Sequence, residues 1–241
     1  MKKSLVLGIC LLLGVAVLSS AGENRYQQFN AEVEQAYAAY RKALFQTNMK
    51  DAEKSGKATE MFLTQWSSII EAYNEQPPEV FSTDPKWADT LSSIEEIAVK
   101  SAGQIKDGEV AEAHETLEAI RDELSDLRKR NSVVVFSDHI NNYHAVMEEL
   151  LVGGYTPDTI NEAALVEIHG QLTVLNYLAE AIRDNAPQKY RSDQMYEKLE
   201  AGLFASLDGL QNALESNDPK GVSKAIKMLK TAYAKLFENF G

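Results

Sequence analysis

Imidazole is scarce in this chain: His114, His139, His144 and His169 are its only histidines, and all lie in one stretch of its 241 residues. Two of them open a His-x-x-x-Glu pattern, His114 with Glu118 and His144 with Glu148. Four residues make about one helical turn, so each imidazole shares a face with its carboxylate. A neutral ring nitrogen beside a hard oxygen suits a divalent ion. In a chain this rich in glutamate the same pairs also arise by chance, as solvated helix faces.

The second half holds the denser set. Ile140, Tyr143 and Met147 read as the inward stripe of one helix, flanked by His144. Leu165, Ile168 and Leu172 read as the stripe of the next, flanked by Glu162 and His169. Folding the two helices antiparallel about Gly153-Gly154 brings His139 level with His169 and leaves His144 offset from His169 by roughly 6 Å along the axis. Asp138, His139, His144, Glu148, Glu162 and His169 are therefore the expected ligands of a transition metal (iron, copper or zinc), since bundles hold metals on facing helices. His114 and Glu118 are secondary candidates. The competing reading makes all of these polar flanks that hydrogen-bond one another. The Glu-x-x-His pairs of di-metal carboxylate bundles do not occur in the sequence.

The elements that must position these groups are helices throughout, because apolar residues recur at three- and four-residue steps. A first helix over Phe29 to Asn48 carries Val33, Tyr37, Tyr40 and Leu44 inward. A second, Asp51 to Asn74, carries Phe62, Trp66, Ile69, Ile70 and Tyr73 and stops before Pro77-Pro78. Asp84-Pro85 starts a third with Trp87, Leu91, Ile94 and Ala98. Asp107-Gly108 then breaks the chain ahead of a fourth with Val110, Ala113, Leu117, Ile120, Leu124 and Leu127. The second half repeats the plan. One helix stops at Gly153-Gly154, and the next starts at Thr156-Pro157-Asp158 and ends before Pro187. A seventh carries Leu199, Leu203, Leu207, Leu210 and Leu214. The last follows Asn217-Asp218-Pro219 and carries Val222, Ala225, Leu229 and Leu236.

A shift of 112 residues superposes much of this, pairing Trp66 with Leu178, Leu91 with Leu203 and Leu117 with Leu229; the first helices align at 103. The expected fold is all-α, two tandem up-down four-helix bundles over 22-131 and 132-241. No glycine or proline interrupts residues 109 to 152, so one long shared helix can join the bundles, with Val133-Val134-Val135 as the place for a kink. At the aligned positions of the first half, His139, His144 and His169 meet Ala36, Arg41 and Lys57, so the histidines stand outside the repeated framework. Trp66, Trp87, Tyr37 and Tyr40 lie at core spacing. Arg128-Lys129-Arg130-Asn131 is the densest basic patch, either offsetting Asp122, Glu123 and Asp126 or docking an acidic partner.

Residues 1-21 read as a secretory signal peptide. Lys2 and Lys3 precede an apolar run from Leu5 to Leu18, and Ser19-Ser20-Ala21 supplies the small residues of a cleavage site. The run is shorter than the ~20 residues a membrane span needs, so periplasmic export without stable membrane insertion is expected. Cys10, the one cysteine, falls inside it, so the mature chain would have no disulfide and no thiolate ligand. The formal net charge of −12 repels phosphate backbones, which argues against nucleic acid as a partner. No Ser-His-Asp order and no phosphate-cradling glycine loop is readable, so no catalytic residue is expected.

In export, length and plan each half resembles the periplasmic four-helix-bundle cytochromes, the cytochrome c-prime class and its non-covalent haem relatives. The local likeness is Gly108-Glu109-Val110-Ala111-Glu112-Ala113 and Gly221-Val222-Ser223-Lys224-Ala225. The resemblance implies a periplasmic bundle. It does not carry haem over, because Cys-x-x-Cys-His is missing and neither closing helix has a histidine near its end. Two functional expectations stand above electron transfer through haem: a non-catalytic protein that buffers a metal, and an adaptor or sensor module that binds a periplasmic protein or peptide.

Overall fold

A computed structural model describes the backbone from residue 7 to 241 and the side chains from residue 24. The segment read as a signal peptide, 1-21, lies outside the described residues in its first six positions and in all its side chains. The described residues form nine α-helices and no strand: α1 (Leu7–Asn48), α2 (Ala52–Tyr73), α3 (Trp87–Lys106), α4 (Val110–Arg130), α5 (Phe136–Val152), α6 (Glu162–Asn185), the single turn α7 (Gln188–Arg191), α8 (Gln194–Glu215) and α9 (Pro219–Phe240). Contacts divide the chain into two compact units, Met1–Val133 and Val134–Gly241. In the first, α1 packs on α2, α2 on α3, α3 on α4 and α4 back on α1. In the second, α5 packs on α6, α6 on α8, α8 on α9 and α9 back on α5.

The helix ends follow from local chemistry. Asp51, Asn161, Asp193 and Asp218 each turn a side-chain oxygen onto a backbone N–H of the first turn, which satisfies a donor that has no intrahelical partner. Helices α1, α3, α4 and α8 end with a left-handed residue, Lys50, Gly108, Ser132 and Asn217. The next N–H in each case bonds a carbonyl five residues back, as in Val133 N to Arg128 O at 2.9 Å. Only Gly108 takes that conformation without a Cβ penalty.

Ser132 also corrects the expectation of a shared helix through 109-152. Asn131 leaves the helix, its side chain donating to Leu127 O at 2.8 Å and to Asp84 Oδ2 at 2.7 Å, and Val135 is extended. The basic patch is correspondingly occupied: Arg128 is buried, and Arg130 grips Asp84 instead of the nearby acids of its own helix. Two helix starts also fall later than expected. Asp84 caps a turn before Trp87, and Thr156 and Thr159 close a hydroxyl-bonded turn, so α6 begins only after Asn161.

Burial selects a register for the two halves that differs from the sequence alignment. At a shift of 109, buried Ile94, Ala98, Ser101 and Ile105 meet buried Leu203, Leu207, Leu210 and Leu214. Ala113, Leu117, Ile120, Leu124 and Leu127 meet Val222, Ile226, Leu229, Tyr233 and Leu236. The same shift carries Pro78, Phe81, Asp84 and Trp87 onto Pro187, Tyr190, Asp193 and Tyr196. Phe81 stacks on Trp87 at 5.1 Å and Tyr190 on Tyr196 at 6.0 Å, with Phe29 edge-on to Phe81 and Phe136 edge-on to Tyr190. The first helices match at 107, Val33, Ala36 and Tyr40 against Ile140, Tyr143 and Met147. Trp66 and Trp87 are core, each donating its indole N–H to a backbone carbonyl, Leu91 O at 3.0 Å and Tyr73 O at 3.1 Å.

Candidate functional site

Helix α5 buries Ile140, Tyr143, Met147 and Leu150. His144 lies one position off that stripe, its side chain 13 % exposed, with the ring 5.1 Å from the Tyr233 ring and Nε2 3.8 Å from Glu148 Oε2. Asp138 is engaged otherwise: Oδ2 accepts the Val135 N–H at 3.0 Å and caps α5. His139 is half-buried. On α6, Ile168 and Leu172 are core and Leu165 is half-buried, whereas Glu162 and His169 are exposed. In the first unit, His114 Nδ1 is 2.8 Å from the buried Thr47 hydroxyl, and Nε2 is 3.9 Å from Glu118 Oε1, which also has Arg121 at 3.8 Å. The structure thus places two imidazole–carboxylate pairs on single helix faces. Among the described residues, no group of three or more His, Cys, Asp or Glu side chains is arranged to hold a metal ion. Two donors offer less than the three or four that biological zinc sites use.

A different feature stands on the outer side of the α8–α9 hairpin. Leu203, Leu207, Leu210 and Leu214 face the core, and the adjoining outer flank of α8 carries Gly202, Ala205, Gly209 and Ala213 at steps of three and four. Gly221, Ala225, Met228 and Ala232 run down α9 beside them. With side chains this short, the two helices leave a channel of about 610 Å³ between them, open to solvent. Leu199 and Ala225, expected inward, are half-buried and line this channel; Ile226, Tyr233, Phe237 and Phe240 take the interior positions of α9. Met228 is 50 % exposed over the floor. The charged lining is Lys198, Lys224 and Lys235, with no carboxylate among the lining residues.

A second, polar cavity of about 490 Å³ is lined by Arg183, Asp184, Arg191, Tyr196, Glu197 and Glu200. Arg191 is committed to backbone, donating to Ala186 O at 2.6 Å and Asp184 O at 3.0 Å. Tyr196 Oη and Glu200 Oε1 are buried without a hydrogen-bond partner. Burial holds the Glu200 carboxyl above its usual range, Arg183 opposing that shift and Asp184 and Glu197 adding to it. Among the described residues, no helix is long and apolar enough to cross a membrane. No protein family, curated protein or solved structure matches the chain.

The channel was readable in part. A helix whose Leu stripe is backed by Gly and Ala at the same spacing has two non-polar faces, which a surface helix does not need for folding. The five lysines against one glutamate in α9 were a second sign in an acidic chain. What the sequence alone could not show was that the two small-residue faces lie side by side.

Proposed function

We propose that this chain is an exported, non-catalytic helical binding module, two tandem up-down four-helix bundles built on one repeated plan, whose second unit docks a protein or peptide partner in the α8–α9 channel. The observation that carries this reading is the channel itself: an apolar, solvent-facing floor with Met228 half-exposed above it and only cationic side chains among its charged lining. Exposed apolar surface rimmed by polar groups marks interaction sites, and a channel between helices is a natural seat for one.

Site-specific photo-crosslinking tests the reading. A photoreactive residue at position 228 should capture one discrete partner in cells, and the same residue at exposed Val166 should not. The captured protein should then bind the purified chain and lose binding to Gly209→Leu, which fills the channel. Capture that is equal at both positions, or binding that Gly209→Leu leaves intact, would overturn it. The His144–Glu148 pair supports a narrower second reading, weak divalent-metal capture on α5; elemental analysis of protein purified without chelators tests it.

A further inference from the structure

We propose that the occupant of the α8–α9 channel is an amphipathic α-helix of another protein, its apolar face edged by Asp or Glu; this rests on the channel being the working surface. The repeat supplies the comparison. Moving back 109 residues, the lysines Lys198, Lys224 and Lys235 become Asp89, Glu115 and Asp126. The small floor residues Ala205, Gly221 and Ala232 become Glu96, Glu112 and Glu123. The two units therefore share their buried positions and differ in sign and polarity on one outer face. Folding demands the shared positions; it does not demand the difference. In a chain of net charge −12 the long-range field turns acidic partners away. A local cationic rim around an apolar floor offsets that field at one place and sets the register of what binds there.

The floor also decides the partner's conformation. The backbone groups of α8 and α9 are paired within their own helices, and the uncharged lining is Gly, Ala, Leu199 and Met228 apart from two hydroxyls, Thr231 and Ser206, the latter already donating to Leu203 O. An extended segment lying in the channel would bring unpaired N–H and C=O groups against apolar surface. A helix satisfies its own backbone and lays only side chains into the channel. The stretch from Lys198 to Ala213 is about 22 Å of helix axis, which a helix of about 15 residues matches. Because α8 and α9 run antiparallel about a three-residue loop, Lys198 and Lys235 stand at one end and Lys224 toward the other. The partner's carboxylates are accordingly placed at both ends of its apolar stripe.

The test uses two fluorescein-labelled 15-residue helical peptides with the same Leu/Ala face, one flanked by Glu and one by Lys, titrated by anisotropy with the full chain. The Glu-flanked peptide should bind at least about tenfold more tightly at low salt, the margin expected of three exposed ion pairs, and the margin should shrink in high salt. Reversing the rim (Lys198→Glu, Lys224→Glu and Lys235→Glu together) should invert the preference, and Gly209→Leu should abolish binding of both. An added Cβ at Gly209 meets no atom within 4 Å and leucine favours helix over glycine, so an unchanged circular-dichroism melt is expected and is checked alongside. Equal binding of both peptides, lost in Gly209→Leu, would leave the channel as the working surface and overturn the acidic helix. Binding of neither peptide would overturn both. Dodecanoate binding at the channel in place of either peptide, or self-association of the chain that the rim reversal removes, would make the occupant an anionic amphiphile or a second copy and overturn the inference.

Discussion

Phe81 lies stacked on Trp87, ring centroids 5.1 Å apart and planes at 22°, and the relationship is reproduced 109 residues later by Tyr190 on Tyr196 at 6.0 Å and 23°. Each pair closes one end of a unit, joining the turn after the second long helix to the start of the third. Trp87→Ala removes the larger ring and orphans the Tyr73 carbonyl it bonds. It should cost about 3–5 kcal/mol in urea denaturation, and Trp87→Phe distinctly less. A loss under 1 kcal/mol for the alanine variant would show that the stack does not hold the unit.

Asp84 ties that same turn to the end of α4. Its side chain is 1 % exposed, and it accepts the Lys86 N–H, both Arg130 contacts and the Asn131 amide. Burial by itself would raise its pKa; the bonds from Lys86, Asn131 and Arg130 outweigh burial and hold it below 3.8. A folded pKa below the unfolded one contributes stability that is present above about 3.8 and lost as pH falls through the depressed value. Asp84→Ala should therefore cost about 2–4 kcal/mol at pH 7. Its deficit should narrow only on acidification below pH 4. A deficit that stays constant down to pH 2 would contradict the assignment.

Glu200 carries the opposite sign. Burial raises its folded pKa above the ordinary 4.5, so the ionised carboxylate destabilises the fold at pH values above the raised value, and the penalty disappears below 4.5. Glu200→Gln should raise the Tm at pH 7 and give no gain at pH 4. A lowered Tm at pH 7 would instead mean that the attraction of Arg183 outweighs burial at this carboxylate.

Zinc titration separates the histidines. His144 and Glu148 face each other at 3.8 Å while His169 is exposed on α6. His144→Ala should remove whatever zinc binding the second unit shows, and His169→Ala should leave the isotherm unchanged. Equal losses from both substitutions would instead point to the six-residue seam of Asp138, His139, His144, Glu148, Glu162 and His169.

Much of the fold was legible because its signals are local. The Leu stripe of α8, the Asp-Pro start of α9 and the glycine end of α3 each act within one or two turns. The register between the halves was legible only to within a turn: 112 differs from 109, and 103 from 107, by about one helical turn, so apolar stripes coincide at either shift. Only the turn residues break that degeneracy. Pro78, Phe81, Asp84 and Trp87 recur at equal spacing as Pro187, Tyr190, Asp193 and Tyr196. The helix break at Ser132 was hidden because a non-glycine residue takes the left-handed position, held by Asn131 and the distant Asp84. For the site, spacing on one helix proved readable, as in the His–Glu pairs. Proximity between helices was not: the α8–α9 channel escaped, and the alignment of the α5 and α6 donors could be drawn from axial register alone.

The most direct measurement of the central claim is an amide NMR map of the full chain titrated with the Glu-flanked helical peptide. The account predicts shifts confined to Lys198–Ala213 and Gly221–Lys235, with the acidic face of α3 and α4 unmoved. Shifts centred on α3 and α4, or on the α5 histidines, would contradict it.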